Sequence, residues 1–127
     1  MPRRLPVSDA ELEVLKVLWE KGDATVREVD AQLRRRKRRL AYNTVLTLLS
    51  RLRVKGYVSV DRRTAAHVFH SIVSREELLS DGLTTLAARV CDGTASPLVH
   101  ALVTGQKFTS DDIVAFRKLL DDLSTGE

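Results

Sequence analysis

Hydrophobic and polar positions alternate with helical spacing at the start of the chain. Ser8 and Glu11 have the spacing of a capping box, which marks a helix N-terminus. The apolar positions that follow share one helical face and end before Gly22: Leu12, Leu15, Leu18 and Trp19. Thr25 and Glu28 repeat the capping box and predict a second, shorter helix.

A third helix is predicted between Asn43 and Lys55. Its apolar positions follow the i, i+3, i+4, i+7 spacing of an amphipathic helix: Val45, Leu48, Leu49 and Leu52. Gly56 supplies the left-handed residue that ends such a helix. The opposite side is polar and carries Asn43, Thr44, Thr47, Ser50 and Arg51, with Leu46 and Arg53 on one flank and Lys55 on the other.

The period then changes from helical to strand-like. Tyr57 to Val60 is rich in β-branched and aromatic residues, residues 61–66 have the composition of a turn, and His67 to Val73 is again strand-like. This pattern predicts a two-stranded hairpin with Arg62 and Arg63 at its tip. Three helices followed by a hairpin are the order of a winged helix-turn-helix.

The last third of the chain predicts three more helices. Ser74 and Glu77 form another capping box, Ser96 is expected as the N-cap of the next helix with Pro97 in its first turn, and Thr109 or Ser110 opens the last one. The expected fold is therefore mostly α with a small β-hairpin. We expect residues 1–73 to form a winged helix-turn-helix DNA-binding domain, and residues 74–127 to form a helical dimerisation domain.

Three short helices carry more apolar side chains than they can bury among themselves, which implies a partner. A second copy of the chain is expected, because a two-fold dimer reads two half-sites of an inverted-repeat operator. The predicted dimer interface consists of Leu79, Leu83, Leu86, Val90, Leu98, Leu102, Ile113, Phe116 and Leu120.

The sign of the net charge also changes at the predicted domain boundary after residue 73. Residues 1–73 contain 16 Lys and Arg against 8 Asp and Glu, whereas residues 74–127 contain 5 against 9. A basic first part and an acidic second part indicate that only the first binds a polyanion, and they favour nucleic acid over a membrane surface. Six cations in succession, from Arg34 to Arg39, strengthen that expectation.

The polar side of the third helix has the residue types that contact DNA bases. Asn pairs with adenine, Thr offers a hydroxyl and a methyl group, Arg reaches guanine or phosphate, and Leu46 suits a thymine methyl. Thr25 begins a helix whose N-terminus favours a phosphate. The expected DNA contacts are Thr25, Arg38, Arg39, Asn43, Thr44, Leu46, Thr47, Arg51, Lys55, Arg62 and Arg63.

Other functional classes lack a motif in this sequence. We find no glycine-rich phosphate loop, nucleophile elbow or zinc-protease spacing, so we expect no enzyme activity and no cofactor. His67 and His70 are three apart in a predicted strand and point to opposite faces, and Cys91 is the single cysteine, so we expect no metal site. Without a signal peptide or a long apolar segment, a cytoplasmic location is expected.

The segments SDAELEVLKVLWEKG, TVREV and AYNTVLTLLSRLRVKGYV, with the hairpin after them, resemble the winged-helix domain of the penicillinase-repressor family of the BlaI/MecI type. The resemblance covers nearly the whole chain and weakens after residue 74. It implies a repressor whose operator contacts include Asn43, Thr44, Thr47 and Arg51. Tyr42 and Leu46 differ from some members, which leaves the operator sequence open.

The same resemblance implies two ways of releasing the DNA. Better-known members are cut in their C-terminal half through a membrane-bound sensor protease, and the corresponding position here is His100 and Ala101, where those repressors carry Asn and Phe. The copper-responsive relatives use a C-terminal cysteine cluster. This chain has only Cys91, which disfavours metal sensing.

Two alternatives remain at this point. A winged-helix module can bind protein or RNA without operator specificity, in which case its third helix should expose aromatic or aliphatic anchors rather than Asn, Thr and Arg. A nonspecific nucleoid-type protein would bind random and operator DNA equally well.

Overall fold

The computed structural model describes residues 5–37 and 39–126. The chain divides into two compact units between residues 80 and 81. The first unit contains α1 (Asp9–Lys21), β1 (Ala24–Thr25), α2 (Val26–Arg35), α3 (Tyr42–Val54), β2 (Val58–Asp61) and β3 (Val68–Ser71). Helix α4 (Arg75–Val90) crosses the division, and α5 (Ser96–Gly105) and α6 (Ser110–Thr125) lie in the second unit. The predicted domain boundary at residue 73 stays a prediction.

The helix starts follow local side-chain chemistry. Complete capping boxes are present at Ser8 with Glu11, at Thr25 with Glu28 and at Thr109 with Asp112. At the start of α4, the Ser74 hydroxyl accepts a hydrogen bond from the Glu77 amide at 3.0 Å. These starts confirm the helix order that the sequence predicts.

The predicted N-cap of α5 is wrong by one residue. Ala95 is the N-cap, Ser96 is already helical, and no side chain caps this end. Pro97 therefore lies second in the helix, where its missing amide hydrogen is still outside the intrahelical hydrogen-bond ladder.

The sheet contains one more strand than the predicted hairpin. Strands β2 and β3 pair antiparallel, with Val60 opposite Phe69. The two-residue strand β1 pairs with the other edge of β3, with Ala24 opposite Phe69, and the strand order is β1-β3-β2. Two residues are too few to show the alternation that identifies a strand in a sequence. The extra strand fixes the start of α2 beside the hairpin.

The apolar stripe of α3 is the centre of the first unit's core. Val45, Leu49 and Leu52 are 0% exposed and Leu48 is 5% exposed. They belong to one cluster with Val14, Leu15 and Leu18 of α1, Val29 and Leu33 of α2, and Tyr57 and Phe69 of the hairpin. Burial of this stripe fixes how α3 is rotated about its own axis.

One charged side chain, Glu11, is buried in this unit, with 1% exposure. Its Oε1 accepts hydrogen bonds from the Ser8 amide at 2.9 Å and from Lys55 Nζ at 2.7 Å. Lys55 Nζ also donates to the carbonyl oxygen of Pro6 at 2.9 Å, and the Tyr57 hydroxyl donates to that of Leu5 at 2.6 Å. The end of α3 and the residue after Gly56 thus hold the segment before α1.

The ionisation of Glu11 makes the stability of this contact depend on pH. Burial raises the pKa of Glu11, but the hydrogen bonds from Lys55 and Ser8 together outweigh burial and hold it below its ordinary value of 4.5. A carboxyl group whose pKa is lowered in the folded state stabilises the fold above its unfolded-state pKa, and this stabilisation is lost as the pH falls through the folded-state pKa.

We therefore expect Glu11→Gln to lower the free energy of unfolding at pH 7 by about 2 kcal/mol, because Lys55 loses a charged acceptor in a buried position. Between pH 7 and pH 4 the unfolding free energy should fall more in the wild type than in the variant. Urea denaturation followed by the fluorescence of Trp19, the single tryptophan, measures both quantities.

The matched control is Glu20→Gln, which removes the same charge from an exposed ion pair with Arg36 on the same helix α1. It should change the unfolding free energy by less than about 1 kcal/mol. Equal stabilities of the Glu11 and Glu20 variants would contradict the structural role of the buried pair.

Candidate nucleic-acid interface

The side of α3 opposite the core is open to solvent. We call it the reading face and define it by its exposed polar residues: Asn43, Thr44, Thr47, Ser50 and Arg51. Thr47 Oγ1 donates to the carbonyl oxygen of Asn43 at 2.9 Å, so its donor is used while its oxygen can still accept a hydrogen bond. No acidic side chain in the described part of the chain forms an ion pair with Arg51. The geometry leaves donors, acceptors and a cation available on one helical face.

Lys55 is placed differently from the other expected contacts. Its ammonium group is bound to Glu11 and to the Pro6 carbonyl, and its side chain is only 23% exposed. A phosphate would have to compete with a buried carboxylate for this cation. We therefore remove Lys55 from the expected DNA contacts and assign it to the fold.

Thr25 begins α2 as predicted, but its own polar groups are occupied. Its amide donates to Glu28 Oε1 at 3.0 Å and its hydroxyl accepts from the Glu28 amide at 3.2 Å. The hydrogen bond from the Thr25 backbone lowers the pKa of Glu28, which keeps a negative charge at this helix start. Only the next amides, those of Val26 and Arg27, remain for an anion at the helix end.

The cationic segment is partly neutralised within the fold. Arg34 Nε lies 3.2 Å from Asp30 Oδ2, and Arg36 forms an ion pair with Glu20. Arg35, Lys37 and Arg39 are exposed. Arg38 lies outside the described residues. Two of the six adjacent cations therefore have acidic partners within the fold, so the segment has less need of an external anion than its sequence suggests.

The wing comprises β2, β3 and the loop 62–67. Both arginines at its tip, Arg62 and Arg63, are exposed. They differ in whether an acidic side chain pairs with them. Arg63 donates to both carboxylate oxygens of Asp61, with Nη2 to Oδ2 at 2.7 Å. The Arg63 side-chain hydrogen bonds hold the pKa of Asp61 at about 2. In the described part of the chain, Arg62 has no such acidic partner.

An open cleft of about 420 Å³ lies between the wing and the first turns of α2 and α3. We call it the wing cleft. Its lining includes Arg27 from α2, Tyr42 and Leu46 from α3, and Ala65 and Ala66 from the wing loop. Leu46 is 40% exposed and Tyr42 is 48% exposed. Arg27 and Tyr42 were not among the expected contacts, although each lies within two residues of one that was: Thr25 and Asn43.

The expected dimer residues are largely solvent-exposed within this single chain. Leu98 is half-buried, and the others range from 39% exposed at Leu83 to 70% at Val90. Further exposed apolar residues that the sequence prediction omitted are Val99, Val103, Val114, Leu119 and Leu123. No residue of α5 or α6 is buried. Phe108 and Phe116 stack edge to face with ring centroids 5.1 Å apart.

The remaining candidate residues have simple placements. His100 and Ala101 lie exposed inside α5. His70 Nδ1 contacts Asp23 Oδ1 at 2.5 Å, while His67 precedes β3. Within residues 5–37 and 39–126, no three His, Cys, Asp or Glu side chains are grouped to hold a metal ion. None of the helices in these ranges is long and apolar enough to cross a membrane.

Comparison with known proteins gives consistent matches. The penicillinase repressor family matches residues 7–122. The transcriptional regulator BlaI of Mycobacterium tuberculosis is 32% identical over 129 residues, which cover 99% of this chain and 91% of that protein. The methicillin resistance regulatory protein MecI of Staphylococcus aureus is 24% identical, over 91% of this chain and 93% of the relative.

A solved structure matches part of the chain. It is the solution structure of the DNA-binding domain of the repressor BlaI, with a TM-score of 0.52 and 28% sequence identity. The match covers 61% of this chain and 93% of that domain. The winged-helix fold and the predicted resemblance are thereby confirmed.

The wing ion pair should be visible in the titration of the Asp61 carboxyl. In an NMR titration, the Asp61 carboxyl should titrate at about 2, and Arg63→Gln should return it towards its ordinary value of 3.8, because the hydrogen bonds from Arg63 are the main cause of the shift. Arg62→Gln is the matched control and should leave the titration unchanged. An Asp61 titration that responds to Arg62 and not to Arg63 would show that the wing tip is arranged differently.

Proposed function

This chain belongs to the penicillinase repressor family, and we propose that it is a homodimeric, sequence-specific DNA-binding repressor. Helix α3 and the wing contact operator DNA, and two copies of the chain bind the two halves of an inverted repeat. The alternative classes, a protein- or RNA-binding module and a nonspecific DNA-binding protein, become outcomes of the experiments below.

The observation that carries this proposal is the reading face. Because Val45, Leu48, Leu49 and Leu52 are buried, the Asn, Thr, Ser and Arg side chains of α3 are exposed together. An α-helix fits the major groove of B-DNA, where each base pair presents a distinct pattern of donors and acceptors. Asn43 and Arg51 have the side-chain groups for adenine and guanine edges, and Thr44 and Thr47 offer a methyl group and hydroxyl oxygens.

Charge supports the choice of DNA as the partner. Residues 1–73 carry a net charge of +8 and residues 74–127 one of −4, and the exposed cations of the first part include Arg39, Arg51, Arg53 and Arg62. Each phosphate that a cation neutralises adds roughly 0.9 to the slope of log affinity against log salt. With three or more such contacts, binding weakens strongly between low and moderate salt concentration.

The exposed apolar side chains of α4 to α6 support a homodimer. Apolar side chains of all three helices are exposed, and α5 and α6 bury no residue of their own. Soluble monomers rarely expose large contiguous apolar patches. A second copy covers the same residues on both chains, because a two-fold interface is self-complementary. The dimer also doubles the number of base and phosphate contacts.

Release from DNA by cleavage between His100 and Ala101 is a further part of the proposal. Both residues are exposed, which gives a protease access, but the bond lies within α5. A protease needs an extended segment, so α5 must first unwind locally. Cleavage there separates α6 from α4 and removes part of the proposed dimer surface.

Specific recognition is tested first with Asn43→Ala and Thr44→Ala. The wild type is used to select preferred sequences from a pool of random duplexes. Each variant should lose about tenfold or more in affinity for the selected duplex and little for a scrambled duplex, because base contacts carry the sequence discrimination. Fluorescence anisotropy at fixed salt concentration measures both affinities.

Thr125→Ala is the matched control for this experiment. Thr125 is an exposed helical threonine of α6 whose hydroxyl donates to the carbonyl four residues before it, as in Thr47. It should bind both duplexes as the wild type does. A wild type that enriches no sequence from the pool would refute operator-specific binding and favour a nonspecific or non-DNA partner.

The dimer is tested with Leu120→Asp, which places a charge in the proposed interface. Leu120 is 63% exposed in the single chain, so the aspartate replaces no side chain of the protomer's own core. Sedimentation equilibrium should give a dimer for the wild type and mainly monomer for the variant. Val54→Asp, at a 76% exposed apolar residue of the first unit, is the control and should stay dimeric. A monomeric wild type at micromolar concentration would contradict the proposal.

A further inference from the structure

The first turn of α4 is attached to α1 by a group of residues that we call the α4 junction: Trp19, Ser71, Val73, Arg75 and Leu78. All of them lie in the first unit. Trp19 Nε1 donates a hydrogen bond to the carbonyl oxygen of Val73 at 2.8 Å. Ser71 Oγ donates to the same carbonyl oxygen at 2.7 Å. Val73 is 2% exposed, and its carbonyl oxygen therefore has a donor for each of its two lone pairs.

Arg75 and Leu78 add two further contacts in the same helical turn. The Arg75 guanidinium lies over the Trp19 ring, 5.5 Å from its centroid, as in a cation–π contact. Val73 and Leu78 flank the Ser74 cap at the two positions that pair in a hydrophobic staple. Val73 belongs to the core cluster of the first unit, and Leu78 packs against that cluster. A hydrogen bond, a ring contact and apolar packing thus hold one turn of α4.

The rest of α4 is attached much less. Among the residues of this helix, only Ala87 is buried. Four of its exposed apolar residues belong to the proposed dimer interface: Leu79, Leu83, Leu86 and Val90. The first of these follows the junction directly. An α-helix is hydrogen-bonded along its whole length, so the orientation of its first turn is carried to the residues that follow.

An inverted repeat imposes a geometric condition on a dimer that binds both of its halves. Each base pair between the half-sites adds about 3.4 Å of distance and about 35° of rotation. Two reading faces joined through loosely held helices would tolerate such changes, whereas two faces joined through fixed helices would not. The residues that fix α4 at its start therefore decide which spacing is bound. This step depends on the function proposed above.

We propose that Trp19 is a positioning residue that determines which half-site spacing the dimer accepts, because it fixes the first turn of α4 through the Val73 carbonyl and through Arg75. Trp19 itself contacts no DNA in this arrangement. The reading face determines the sequence of each half-site, and the α4 junction determines the distance and rotation between the two.

The test uses the full-length protein and duplexes built from the selected sequence. They contain a single half-site, the inverted repeat with its preferred spacing, or the repeat with one or two base pairs added or removed between the half-sites. Wild-type affinity should fall about tenfold or more when the spacing changes, because a dimer that cannot engage both half-sites loses its avidity. Fluorescence anisotropy at fixed salt concentration gives the affinity for each duplex.

Trp19→Phe keeps an aromatic ring and removes the indole N–H. This variant should bind the preferred spacing about fivefold or more weakly than the wild type, and its affinity should vary less than about threefold among the spacings. Its affinity for the single half-site should equal that of the wild type, because the reading face is unchanged. Arg75→Gln removes the contact with the ring and should flatten the spacing profile in the same direction.

Tyr57→Phe is the matched control for Trp19→Phe. It also removes a hydrogen bond from an aromatic side chain of this core to a backbone carbonyl, that of Leu5, outside the junction. Lys16→Gln is the control for Arg75→Gln, because it removes a cation from α1 three residues before Trp19. Both controls should keep the spacing profile of the wild type.

Folding and assembly are checked for every variant. Circular dichroism during urea denaturation replaces fluorescence, because Trp19→Phe removes the single tryptophan. Sedimentation equilibrium shows whether the variant is still a dimer. Arg75 is exposed, so Arg75→Gln carries the test if Trp19→Phe does not fold.

The outcomes separate this inference from the proposed function. Folded, dimeric junction variants that keep the wild-type spacing profile would overturn the inference and leave the repressor proposal standing. An equal loss on every duplex, including the single half-site, would also overturn it, because that result would indicate damage to the reading face. The same holds for a wild type that binds all spacings equally. A wild type that enriches no sequence, or that is monomeric, would refute the proposed function itself.

Discussion

Burial of the apolar stripe on α3 is the constraint on which the rest of the structure depends. Four apolar residues at helical spacing enter the core of the first unit and are at most 5% exposed. A helix has only one rotation about its axis that satisfies such a stripe. The same burial therefore determines which side chains reach solvent. The reading face is exposed because the opposite side of α3 is buried in the core, and no further interaction is needed to expose it.

The two units handle apolar residues in opposite ways. The first unit buries its own core, with Glu11, Lys55 and Tyr57 holding the segment before α1 in place. The second leaves most of its apolar residues exposed. The first unit, which buries its own core, holds the α3 face in a fixed position, whereas the exposed apolar residues of the second unit form the surface of the proposed dimer. In the proposed repressor, loss of the second unit's interface weakens DNA binding because it halves the number of contacts.

Sequence patterns predicted the features that depend on neighbouring residues. The capping boxes, the α3 stripe and the hairpin all arise within one or two turns of chain, and all are present. The features that the sequence patterns did not predict depend on residues that are far apart in the sequence. Lys55 contacts Glu11, which lies 44 residues earlier in the sequence. Strand β1 pairs with β3, which is more than 40 residues further along the chain. The wing cleft follows from that pairing, so neither Arg27 nor Tyr42 could be placed at a common site from the sequence.

In the proposed complex, the polar side of α3 lies against DNA because its apolar side is buried in the core. The most direct measurement is NMR mapping of backbone amide shifts of the labelled protein during titration with a short duplex of the selected sequence. The largest shift changes should fall between Tyr42 and Arg53 and in the wing loop, with small changes in α5 and α6. Changes concentrated in the second unit, with α3 unaffected, would contradict it.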